Sequence, residues 1–160
     1  MTRPWILILA LIPALFACKP DDKKLAGTRW LCNEALEKSE SANLSFPNAD
    51  APPPEGSFFE GYGKDGSYTA QDPFTGEDLN GDDIKASRYA LGKDKDGNLT
   101  IGFDFQDAEG NWTPEEGRII YVIKQLDDKR YHTVADQSSQ DEGGEFYHET
   151  KCSRLQNKEN

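Results

Sequence analysis

Leu99-Thr-Ile-Gly-Phe-Asp-Phe-Gln106 is the stretch on which the fold turns. In an extended chain successive side chains point to opposite faces. Leu99, Ile101, Phe103 and Phe105 therefore share one side, and Thr100, Gly102, Asp104 and Gln106 the other. This predicts a strand with one buried and one wet face, whose apolar residues belong to the core. Upstream, Lys93-Asp-Lys-Asp-Gly97 leads back to a second extended segment, Ser87 to Leu91. Asp-Gly and Asn-Gly pairs supply the positive φ that tight hairpins require. The same signal recurs at Asp65-Gly66 and Asn80-Gly81, with further turns at Glu109-Gly110-Asn111 and Asp127-Asp128.

Working outward, Ser57 to Tyr62, Ser67 to Ala70, Tyr131 to Asp136 and Phe146 to Leu155 also read as strands. Arg118 to Leu126 is apolar on both faces, which predicts a strand covered on two sides. Trp30 to Leu36 reads as a first strand passing into a helical turn over Glu34 to Lys38. Ser39 to Gly56 contains Pro47, Pro52, Pro53 and Pro54 and is expected to be a long surface loop. Hairpin connections and the lack of amphipathic helices predict an all-β domain. Its expected form is a single antiparallel β-barrel or strongly curved meander sheet of about seven to eight strands.

The N-terminus has a different character. Arg3 is the sole charge in residues 1–17, and Ile6 to Ala17 is an apolar run. A bilayer-spanning helix needs about 20 apolar residues, so this is the pattern of an export signal. Leu15-Phe16-Ala17-Cys18 resembles the lipobox of bacterial lipoproteins, although Phe16 departs from the usual small residue. The resemblance implies cleavage before Cys18 and attachment of a diacylglycerol and a fatty acyl chain such as palmitate to it. Lys19, where an inner-membrane retention signal has aspartate, implies the outer membrane, with the protein facing the periplasm. The expected organisation is signal peptide 1–17, lipidated tether 18–25, all-β domain 26–155 and disordered tail 156–160.

Cleavage leaves 143 of the 160 residues, enough for one domain with a core. It also removes Arg3, so the formal charge of −11 becomes −12, with 17 basic against 29 acidic side chains. Nucleic acid is a poor partner for such a surface. The partners this composition admits are the membrane through the lipid, a cationic protein, or a small apolar ligand. Cys32 and Cys152 remain after Cys18 and, in an oxidising compartment, are expected to pair. Two cysteines with no Cys-x-x-Cys partner make no recognisable metal site. In a meander barrel their bond would join the first and last strands where the barrel closes.

Leu25-Ala-Gly27-Thr-Arg-Trp30, at the head of an all-β chain of this length, resembles the opening of bacterial lipocalin-like domains. The spacing is Gly-x-x-Trp where lipocalins proper have Gly-x-Trp. The resemblance implies a barrel in which Trp30 plugs the core.

Chemistry is sparse. Asp78, Asn80 and Asp82 match the first ligands of a calcium loop. However, Asp83 stands where the sharp turn needs glycine and Tyr89 where a bidentate acid belongs, so a solvated acidic turn is expected. Asp94, Asp96 and Asn98 form a shorter cluster of the same kind. His132 and His148 could meet if their strands are neighbours, but zinc needs three or four ligands, so ordinary rim histidines are expected. There is no Gly-x-Ser-x-Gly elbow and no phosphate-cradling glycine loop. No catalytic residue, metal or cofactor beyond the lipid is expected. Two functions fit: a non-enzymatic outer-membrane lipoprotein binding a small apolar ligand or an envelope partner, or a periplasmic inhibitor or immunity protein against a cationic enzyme such as a lysozyme or toxin.

Overall fold

The computed structural model describes residues 22–115, 118–137 and 146–156. Signal peptide 1–17, Cys18, the start of the tether and residues 157–160 of the tail lie outside them. A helical turn, α1 (Asp22–Leu25), precedes eight strands: β1 (Thr28–Ala35), β2 (Phe58–Tyr62), β3 (Tyr68–Gln71), β4 (Ala86–Lys93), β5 (Leu99–Gln106), β6 (Ile120–Leu126), β7 (Arg130–Asp136) and β8 (Tyr147–Arg154). They form one antiparallel sheet in the order β3-β2-β1-β8-β7-β6-β5-β4, curled into a nearly closed barrel. No described helix is long and apolar enough to cross a membrane.

The first and last strands do meet. β1 pairs with β8 over six positions, and Cys32 lies directly opposite Cys152, with Cα atoms 4.0 Å apart and the side chains joined in a disulfide. The seam lies elsewhere, between β3 and β4. Their contact is reduced to the isolated bridge Ser67↔Arg88 and one backbone bond from Tyr89 N–H to the Gly66 carbonyl at 3.0 Å. The reason is local. β3 has only four residues and is followed by the long acidic connection 72–85, whereas β1 and β8 have eight each. Gly66, at φ +86°, turns the β2–β3 hairpin in a conformation that a Cβ would strain.

The interior follows the alternation. Trp30, Cys32, Tyr62, Ile101, Tyr131 and Cys152 point inward and are essentially inaccessible. Trp30 donates its indole N–H to Thr28 Oγ1 at 2.7 Å and packs against Tyr131. Leu25 of α1, also fully buried, belongs to the same cluster. The domain therefore takes in part of the segment expected to be tether. Phe103 and Phe105 pack against this cluster but are only half-buried, whereas Leu99, expected in the core, is half-buried at the start of β5 and outside the cluster.

Three expectations are corrected. The face of β5 expected to be wet is covered: Thr100 and Asp104 are 6% and 5% exposed, with Asp104 accepting from Arg88 and Arg118. The strand from Arg118 to Leu126 is not covered on both sides: Ile120 is 43% exposed at the start of β6, and Ile119, just before it, is 36% exposed at the mouth of the barrel. The helical turn at Glu34 to Lys38 is replaced by continuation of β1 to Ala35, then a turn and a 3-10 turn at Ser41–Asn43. Ser39 to Gly56 is indeed a loop, and it straps the outside of the barrel. Asn33 and Lys151 donate to the carbonyls of Ser45 and Leu44, Phe46 lies edge-on to His132, and Ser41 donates to Glu149.

Candidate ligand cavity

One end of the barrel is filled by Trp30, Tyr62, Tyr131 and the disulfide; the other is hollow. β5 explains the hollow. It pairs with β6 only at Thr100, Ile101 and Gly102, and its C-terminal half turns instead to Trp112 and Thr113, with Phe105 N–H donating to Thr113 Oγ1. Beyond Gly102 the backbone ladder ends, and Arg118 reaches Asp104 through its side chain, Nε to Oδ1 at 2.6 Å. A cavity of about 520 Å³ opens there, partly in contact with solvent, with Leu79 and Ile119 on its exposed rim. That volume lies within the range of small-molecule sites. Phe103 and Phe105 are half-buried because they are wall rather than filler.

Five Phe and Tyr rings are part of the wall, among them one packed group. Phe58, Tyr68, Phe103 and Tyr121 line it, with Tyr68 and Phe103 centroids 4.4 Å apart and Tyr121 edge-on to Phe103 at 5.7 Å. Into this apolar surround projects Glu60, only 5% exposed. Tyr62 donates to its Oε2 at 2.7 Å and Tyr68 to its Oε1 at 3.1 Å, while the disulfide sulfur of Cys152 lies 3.9 Å away. Burial raises the Glu60 pKa above the ordinary value, and the two hydroxyl bonds offset that only in part. Burial likewise pushes Tyr62, Tyr68 and Tyr131 well up, and Tyr121 up to about 12, so all four stay neutral.

At the outer part of the wall His148 is bonded at both ring nitrogens. Nε2 is 3.0 Å from Glu34 Oε2 and Nδ1 3.0 Å from the Tyr121 hydroxyl. An ionised carboxylate can only accept, so the Glu34 contact takes an N–H from Nε2. The cavity lining contains no lysine or arginine.

The candidates marked in the sequence fare differently. His132 and His148 sit on neighbouring strands but opposite faces: His132 faces out, bonded to Glu149 at 2.8 Å, and His148 faces in. They share no site. Asp78 Oδ1 accepts from the Asn80 backbone N–H at 2.8 Å, as a solvated turn would have it. Asp78 and Asp82 are exposed, but the Asn80 side chain turns to the cavity, where its buried Nδ2 has no partner. Asp94 is occupied by its own hairpin, accepting from the Asp96 and Asn98 backbones and from Asn98 Nδ2. Cys32, Cys152 and Glu60 lie close enough to hold an ion, yet sulfurs joined in a disulfide offer no thiolate.

Glu34 and Glu60 were not singled out by sequence, and His148 only as half of a metal pair, although a signal was present. Each shares strand parity with inward residues: Glu34 with Trp30 and Cys32, Glu60 with Phe58 and Tyr62, His148 with Thr150 and Cys152. Charge on an inward register marks a polar group facing the barrel interior, buried at Glu60 and open to solvent at Glu34. The arrangement defines a β-barrel with a carboxylate-floored aromatic cavity. No protein-family model matches this chain, and neither does any curated protein sequence.

Proposed function

We propose that this is a non-enzymatic binding protein of the bacterial cell envelope, lipid-anchored through Cys18 to the outer membrane, whose barrel takes up a small ligand with an apolar body. The observation that carries this reading is the aromatic-walled cavity of about 520 Å³ at one end of an otherwise filled barrel. Core packing leaves few voids larger than a water molecule, so a hollow of this size has a use. Titration with the neutral fluorophore 1-N-phenylnaphthylamine tests it. Saturable enhancement at micromolar concentrations is expected, and no enhancement there overturns the reading.

A second reading, an inhibitor or immunity protein against a cationic enzyme, is favoured by the 72–83 connection. There Phe74 and Leu79, 65% and 52% exposed, stand among Asp72, Glu77, Asp78, Asp82 and Asp83. Apolar anchors ringed by acid suit a basic protein surface, and complementary charge speeds encounter. Its mark is a captured basic protein that salt releases; capture unaffected by salt sinks it.

A further inference from the structure

We propose that the cavity selects ligands whose apolar body ends in a cationic ammonium head, and that Glu60 receives that head. This rests on the cavity being a ligand site. Glu60 is faced by Tyr62 of its own strand, Tyr68 of β3 and Tyr131 of β7, with Tyr121 of β6, His148 of β8 and Glu34 of β1 farther off. Among these only His148 can carry positive charge; it acts on Glu60 from a distance, while its ring nitrogens bond to Glu34 and Tyr121 rather than to the Glu60 carboxylate. The two tyrosine hydroxyls supply hydrogen bonds but no countercharge. A carboxylate has about four acceptor sites, so both oxygens of Glu60 retain capacity.

Burying a carboxylate without a countercharge is costly, and an ammonium group removes that cost. The walls agree with the same choice. The faces of Phe58, Phe103 and Tyr121 attract a cation, whereas Glu34 and Glu60 together repel an anionic head. The unpartnered Asn80 Nδ2 toward the rim offers a donor to an acceptor elsewhere on the ligand.

Calorimetry on the intact protein with octylammonium, octanol and octanoate separates the possibilities, since the three share one tail and differ in head. At neutral pH octylammonium is expected to bind about tenfold or more tighter than octanol, with octanoate weakest. Glu60→Gln, which keeps shape and removes charge, should bring the octylammonium to octanol ratio close to one. Wild-type selectivity should also fade as pH falls through the raised Glu60 pKa, a measurement that does not depend on the variant folding. Octanol or octanoate binding as well as octylammonium overturns the charge selection and leaves the ligand reading standing. Selectivity that survives both Glu60→Gln and acid overturns the role of Glu60. Absence of binding by all three and by the neutral fluorophore overturns both readings.

Discussion

Two buried glutamates show how neighbours decide the same side chain's behaviour. Glu149, on the outer face of β8, is 3% exposed; burial alone would raise its pKa. Hydrogen bonds from Ser41, Tyr147 and His132 and the charge of Lys151 instead hold it at about 2. A depressed carboxylate stabilises the fold above its unfolded pKa, near 4.5, and that stability is lost as pH falls through about 2. Glu149→Gln is therefore expected to cost roughly 1.5–3 kcal/mol at neutral pH, and less as the acid limb is descended, by denaturant titration across pH. Glu60 has the opposite sign. Its folded pKa is raised, so relative stability is present below pH 4.5 and is lost as pH rises through the folded value. The Tm of Glu60→Gln relative to wild type should be more favourable at pH 8 than at pH 4; a difference running the other way contradicts an uncompensated Glu60.

At the scale of elements, the barrel is strong where β1 meets β8 and weak where β3 faces β4. The disulfide ties the strong side. It closes a loop of 120 positions, for which chain entropy gives about 4–5 kcal/mol. Replacing Cys32 and Cys152 together by Ala should lower unfolding free energy by roughly 2–5 kcal/mol in urea while the barrel still forms. The weak side has a dynamic consequence. Apart from Tyr89, whose amide bonds to Gly66, β4 amides directed at β3 find few partners. Hydrogen exchange should therefore be fastest in β3 and along that edge of β4, and slowest in β1, β7 and β8. Equal protection along all eight strands would show that the seam is closed.

For the whole molecule, the lipid reading predicts a separable address: Cys18→Ser should yield a soluble, still disulfide-bonded domain, checked by fractionation and thiol labelling, and continued membrane association contradicts it. What the sequence determined by itself is class and connectivity. Leu99 to Gln106, the Asp-Gly and Asn-Gly turns and the proline-rich 39–56 segment specify antiparallel strands and their order, because alternation and turn chemistry are local properties of the chain. Eight strands, the pairing of β1 with β8 and the Cys32–Cys152 bond lay within that reading. The location of the seam, the exposure of Ile119 and Ile120, and the burial of Leu25 did not, since each depends on which layers cover which face. The cavity was least legible of all. Glu34 of β1, Glu60 of β2 and His148 of β8 lie far apart in the chain, and only curling the sheet turns their shared inward parity into one site. A strand pattern tells which side of the sheet a residue takes, but whether that side is packed solid or left hollow is decided by how far neighbouring strands stay paired, and the β5–β6 ladder ends at Gly102.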